Sequence, residues 1–208
     1  DDEAVPLLLR VIESSGLAML DWNREACRFR GRVRLVRRAF PEEPWPDLDD
    51  GPLLVTLADW LTPWLHGVRS RRDLACIDLP AALRALLTGD QVRLLEERAP
   101  THVTVPSGSR IEIDYVSGDE PFLAVKLQEM FGCGDTPTIA GGRVTLLLHL
   151  LSPARRPVQV TRDLKGFWKS GYREVKRELK GRYPKHPWPD DPWNAVPTSR
   201  TKRMMQKK

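Results

Sequence analysis

The chain has 208 residues, of which 41% are hydrophobic and 29% charged, with a formal net charge of +5. That is the composition of a globular protein of one large or two small domains. No apolar run approaches the ~18–20 residues that span a bilayer, so membrane insertion is not expected.

Residues 5–20 read as a helix of about three turns, interrupted near Ser14-Ser15-Gly16, with Leu8, Val11 and Ile12 on one face. Asp21 is placed to cap a second helix from Trp22 to about Ala39, where Ala26, Phe29, Val33 and Val36 recur at helical spacing. Its arginines (Arg24, Arg28, Arg30, Arg32, Arg34, Arg37 and Arg38) read either as the wet side of an ordinary helix or as a nucleic-acid contact face. After a Pro-rich loop at 41–47, a third helix runs from about Pro52 to Leu65, with Pro63 bending or ending it. Asp78 caps a fourth from Leu79 to Leu87, closed by Gly89, and Gln91 to Arg98 is a short fifth. Residues 1–98 therefore form a helical bundle.

The period changes at Ala99-Pro100. Residues 101–105 and 110–116 alternate about the turn Pro106-Ser107-Gly108-Ser109, which predicts a hairpin. Further strands are expected at Phe122–Lys126, Arg143–Leu150 and Pro157–Val160, with one helical turn at Leu127–Phe131. Short strands with one small helix between the third and fourth suit a small OB-like β-barrel over 99–160, making the whole chain α+β. On such a barrel Lys126, Arg143, Arg155 and Arg156, at strand ends, are candidates to contact nucleic acid. A barrel used only as a scaffold is the other reading.

The extension 161–208 holds a basic amphipathic helix, an extended segment and a basic tail ending Lys207-Lys208. Thr161 or Asp163 caps the helix and Gly181 stops it. Leu164, Phe167, Trp168, Gly171, Tyr172, Val175 and Leu179 make one apolar stripe, and Lys165, Lys169, Arg173, Lys176, Arg177 and Lys180 lie on the other face. Next, Arg182–Trp193 packs four prolines and two tryptophans into twelve positions, which admits neither a helix nor a central strand. Such a segment straps the helix to the body or binds a partner, with Tyr183, His186, Trp188 and Trp193 as the docking residues in either case. From Arg155 on there are 16 Lys and Arg against 5 Asp and Glu, whereas the first 154 residues hold 17 against 23. An acidic body with a basic C-terminal quarter points to an anionic partner or to a solvated tail.

Catalytic signatures are absent from the sequence. There is no phosphate-binding Gly-x-x-x-x-Gly-Lys-Ser/Thr loop, no Asp-Glu-x-His box, no His-Glu-x-x-His and no Gly-x-Ser-x-Gly. His149, in an apolar strand, reads as a core residue rather than a metal ligand. Cys27, Cys76 and Cys133 are widely spaced and odd in number, which fits free thiols in a reducing, cytoplasmic compartment. No catalytic, metal or cofactor residue is assigned.

Three stretches carry a resemblance: 121–132 (Pro-Phe-Leu-Ala-Val-Lys-Leu-Gln-Glu-Met-Phe-Gly), 150–168 (from Leu-Leu-Ser-Pro-Ala-Arg-Arg-Pro to Gly-Phe-Trp) and 182–192 (Arg-Tyr-Pro-Lys-His-Pro-Trp-Pro-Asp-Asp-Pro). In this order and spacing they resemble the C-terminal region of the HrpB family of bacterial ATP-dependent RNA helicases, DEAH-type proteins of superfamily 2. The resemblance implies that the chain is part of a longer protein whose motor domains, with their ATP and magnesium, lie upstream. It implies an accessory role, with single-stranded RNA or other nucleic acid and the motor domains as partners. The alternative is a module that recruits another protein through the Pro/Trp segment and the basic helix.

Overall fold

The computed structural model describes residues 4–205. The chain divides into two compact units, Asp1–Ala99 and Pro100–Lys208.

The first unit is helical: α1 (Ala4–Ser15), α2 (Arg24–Ala39), α3 (Asp50–Val55), α4 (Leu57–Leu61), α5 (Arg71–Leu74), α6 (Leu79–Arg84) and α7 (Gly89–Arg98). Its core takes Ile12 from α1, Ala26, Phe29, Val33 and Val36 from α2, Leu57, Trp60 and Leu61 from α4, and Leu79, Leu83 and Leu95 beyond them. The start of α2 departs from expectation. Asn23, in extended conformation, is the cap, its Oδ1 accepting from Ala26 N at 3.0 Å, while the Trp22 indole donates to Leu17 O. The expected third helix is broken into α3 and α4 at Thr56, whose hydroxyl donates to Pro52 O at 3.0 Å, and a 3-10 turn at Thr62–Trp64 with Pro63 ends it. Gly89 does not close α6; it opens α7, which Thr88 and Gln91 start with a reciprocal capping box.

The arginines of α2 are largely structural. Arg30, Arg34 and Arg37 pair with Asp50, Asp49 and Asp47 at 2.7, 2.5 and 2.7 Å, tying the helix to the start of α3 and the loop ahead of it. Arg32 is buried, and its guanidinium donates to the Leu95 and Ala99 carbonyls and meets Glu96 at 2.9 Å. A cation there supplies donors to carbonyls at the C-terminus of α7, where Leu95 O also accepts from Ala99 N, and complements the helix dipole.

The second unit contains β1 (His102–Thr104), β2 (Arg110–Asp114), β3 (Phe122–Lys126), β4 (Thr138–Ile139), β5 (Val144–Thr145), β6 (Leu147–Leu151) and β7 (Pro157–Thr161). The expected OB-like barrel is not formed. Five strands make one open mixed sheet in the order β1-β2-β3-β6-β7, while β4 and β5 pair apart from it. The deciding feature is the segment between β3 and β6, which returns the chain so that β6 lies parallel to β3 with Phe122 opposite Leu147 and Lys126 opposite Leu151. β1 and β7 are left as edges, and closure would need them to pair. Leu123, Val125, Leu148 and Leu150 fill the buried face. His149 points the other way, half-buried and stacked on the Phe122 ring at 4.2 Å.

The rest of the unit is α8 (Leu164–Gly166), a π-helical turn (Phe167–Gly171), α9 (Tyr172–Arg182), the extended strap, and α10 (Lys202–Met205). None of the helices among the described residues is long and apolar enough to cross a membrane.

Candidate nucleic-acid interface

The basic helix is built from its cap. Asp163 Oδ1 accepts from Gly166 N at 2.7 Å, and the Thr136 hydroxyl holds Leu164 N at 3.0 Å. The expected regular helix is interrupted one turn later, where Tyr172 N reaches back five residues to Phe167 O. Gly171 makes this possible, because a Cβ there would lie 2.8 Å from the Phe167 ring. The wide turn brings Phe167, Trp168 and Tyr172 into the core around Phe131, with ring centroids 5.1–6.4 Å apart. Both polar tips are satisfied: the Trp168 indole donates to Cys133 O at 2.8 Å and the Tyr172 hydroxyl to Pro189 O at 2.9 Å. Burial, with some help from Asp190, pushes the Tyr172 phenol up, and burial likewise raises the Cys133 thiol.

With the aromatic face fixed, Lys165, Lys169, Arg173 and Arg177 are exposed at four-residue intervals. Arg177 has only a loose pairing with Glu174 at 4.0 Å, and the first three meet no carboxylate within ion-pair distance among the described residues. Lys176 is different: it is mostly covered and paired with Asp190 of the strap, which holds that carboxyl below its usual range. Arg155 and Arg156 sit exposed in the β6–β7 turn, where Arg155 takes the left-handed conformation at φ 60°. Arg143 is exposed beyond the left-handed turn at 140–142, and Lys126 is half-buried at the end of β3. The structure thus lines up the helix cations and leaves the strand-end arginines on separate loops.

The strap packs on its own unit. Trp188 is buried and its indole donates to Tyr183 O at 2.9 Å, while His186 Nδ1 lies 3.1 Å from Gln128 Oε1. Gln128 Nε2 donates to Pro187 O at 3.0 Å, Gly132 N to Pro192 O at 2.9 Å, and Thr198 N to Gln128 O at 3.0 Å. Trp193 is half-buried beside Gly134, and Tyr183 meets His186 edge-on. Gln128 is the residue that sequence reasoning passed over. An amide between apolar residues in the short turn Leu127-Gln128-Glu129-Met130-Phe131 was its signal. Lys207 and Lys208 of the basic tail lie outside the described residues.

Residues 60–192 match the family model described as ATP-dependent helicase C-terminal, HrpB type. The chain belongs to this HrpB C-terminal helicase family. It is 51% identical over 203 residues to the ATP-dependent RNA helicase HrpB of Escherichia coli strain K12, covering 98% of this chain and 25% of that protein. Two crystal structures are similar. One, of the E. coli DExH-box NTPase HrpB, has a TM-score of 0.89 at 51% identity and covers 96% of this chain and 25% of that one. The other, of the E. coli DEAH/RHA helicase HrpB, has a TM-score of 0.76 at 48% identity and covers 90% and 24%. This HrpB-family chain therefore spans about a quarter of the length of the relatives it matches.

Proposed function

We propose that this chain is the accessory region of an ATP-dependent RNA helicase, contacting single-stranded nucleic acid while docked on motor domains that handle ATP and magnesium elsewhere in the longer protein. Family membership supports the accessory role. The nucleic-acid reading rests on one observation: Lys165, Lys169, Arg173 and Arg177 stand exposed on one side of the helix without strong carboxylate partners. Twelve residues of helix place them along about 18 Å, a span over which one strand meets several cations in succession. Contacts of this kind neutralise phosphates and carry no base code, so binding is sequence-tolerant and salt-sensitive. The rival, a partner-binding Pro/Trp segment, is weakened because Trp188 and the strap's carbonyls are used within the unit.

The test is a titration of labelled single-stranded RNA at two salt concentrations. The expected slope of log K against log salt is about −0.7 per phosphate neutralised. The triple variant Lys165→Glu, Lys169→Glu, Arg173→Glu is expected to bind at least ~10-fold more weakly at low salt with its circular dichroism unchanged. Absence of binding at low salt, or binding indifferent to salt, refutes the reading.

A further inference from the structure

The sheet buries Leu123, Val125, Leu148 and Leu150 on one face, so the alternation of the strands turns Phe122, Ala124, Lys126 and His149 to the other. There the Phe122 and His149 rings stack nearly parallel, 13° apart, with centroids separated by 4.2 Å. In the register of the strands His149 lies between Ala124 of β3 and Val160 of β7. Ala124 is exposed and Val160 is 49% exposed, so neither flanking strand covers the imidazole with a large side chain. Beside Phe122, by contrast, the β2–β3 turn comes close: a Cβ on Gly118 would lie 3.8 Å from two carbons of that ring. The open side of the pair is therefore His149, whose ring meets no second aromatic and no hydrogen-bond partner among the described residues. Cross-strand packing explains why the two rings touch, but not an unpartnered imidazole on an apolar face that solvent reaches on both sides of it.

Charge is graded along the same face. Glu112 and Asp114 lie on this face of β2 with Asp114 opposite Phe122, and Glu120 pairs with Arg162 at that end of the sheet. Lys126 stands opposite Leu151 at the other end, and the β6–β7 turn that follows Leu151 carries the exposed Arg155 and Arg156. None of these three cations meets a carboxylate within ion-pair distance among the described residues. A ligand that matches this order of groups brings a planar ring to the imidazole and negative charge to the far end. A nucleic-acid duplex has the charge, but its bases are already stacked on one another; an unpaired nucleotide offers both.

We infer that the outer face of the sheet holds one unpaired nucleobase, stacked on His149, with the adjoining phosphates toward Lys126, Arg155 and Arg156. The inference rests on the nucleic-acid reading above and adds to the helix stripe a contact made to a base. Stacking accepts the flat face of any base, so binding remains sequence-tolerant.

The test follows the His149 ring protons by NMR in the full chain during titration with a single-stranded oligoribonucleotide, an abasic strand of the same length and, separately, adenosine monophosphate. The oligoribonucleotide is expected to shift these signals upfield through the ring current of the base, and the abasic strand is not. His149→Ala is expected to weaken oligoribonucleotide binding about tenfold while leaving both the salt slope and the affinity for the abasic strand unchanged, because no phosphate contact is lost. His149→Phe keeps a ring and is expected to bind as the parent does. Signals that stay put while the oligoribonucleotide binds, an equal response to the abasic strand, or a His149→Phe protein as weak as His149→Ala overturn the inference; the proposed function then stands on the helix stripe, and the sheet face is left to a protein partner. If no strand binds at low salt, the nucleic-acid reading falls, and adenosine monophosphate decides the platform: shifted His149 signals keep it as a nucleotide site, and unshifted ones overturn it too.

Discussion

Trp188 and Asp49 show how single side chains hold each unit together from within. Trp188 is buried at 7% exposure with its indole hydrogen bond made inside the strap, so its truncation leaves a cavity rather than a free surface. Trp188→Ala is expected to cost about 3–5 kcal/mol, read as a fall in melting temperature of this unit. An unchanged melting temperature would return the residue to the role of an external docking anchor. Asp49 is held below its usual range, first by its hydrogen bond from Arg34, with Arg30 and Arg37 adding to the same effect. Its folded-state pKa is depressed, so its contribution is present above the unfolded value near 3.9 and is lost as pH falls through the folded one. Asp49→Asn is therefore expected to lower stability at neutral pH and to flatten the acid limb of the stability curve, as measured by denaturant unfolding from pH 7 to 3. Both partners are partly solvated, which keeps the effect modest.

Among the elements, the π-helical turn at Phe167–Gly171 is the most consequential local device. It accommodates one residue more than an α-turn, so the apolar stripe read as a regular helix bends its phase and three aromatics enter the core together. Gly171→Ala pushes a Cβ to 2.8 Å from the Phe167 ring, and overpacking of this kind is expected to cost about 1–3 kcal/mol in chemical denaturation. Deleting Ser170 is the complementary experiment. The turn then closes as an ordinary α-turn while the segments on either side keep their relative phase. The helix cations are expected to keep their alignment, so RNA affinity should fall less than it does in the Glu triple variant, as measured by the same titration. At α7, the capping box Thr88–Gln91 was legible in the sequence as a Thr followed three residues later by Gln, yet Gly89 between them masqueraded as the end of the preceding helix.

On the scale of the whole molecule, the strap makes the second unit a closed piece of structure. It satisfies Gln128 and Gly132 N and takes the Tyr172 hydroxyl at Pro189 O. Ending the chain at Arg182 is expected to lower the melting temperature, because buried Gln128, Gly132 N and the Tyr172 hydroxyl lose their partners Pro187 O, Pro192 O and Pro189 O. A truncated protein that unfolds as cooperatively and as late as the parent would show the strap to be dispensable.

The sequence alone determined the helical first unit and the residues of β3 and narrowed the cap of the basic helix to Thr161 or Asp163, of which the structure uses Asp163, because period, capping chemistry and proline placement act over a few neighbouring residues. It also carried the family resemblance in 121–132, 150–168 and 182–192, which the comparisons bear out. What it did not determine was which strand lies beside which. The sequence reads Phe122–Lys126 and Arg143–Leu150 as strands, the second of which the fold divides into β5 and β6, but a parallel pairing and an antiparallel one bury the same face of each, so an open mixed sheet and a closed barrel read alike. Nor does spacing distinguish a cation that is spoken for from one that is not. Lys176 and Arg173 sit on the same helix, and only the fold brings Asp190 to the first and leaves the second in solvent. Long-range pairing settles such questions, since it depends on where a distant segment returns and not on the residues nearby.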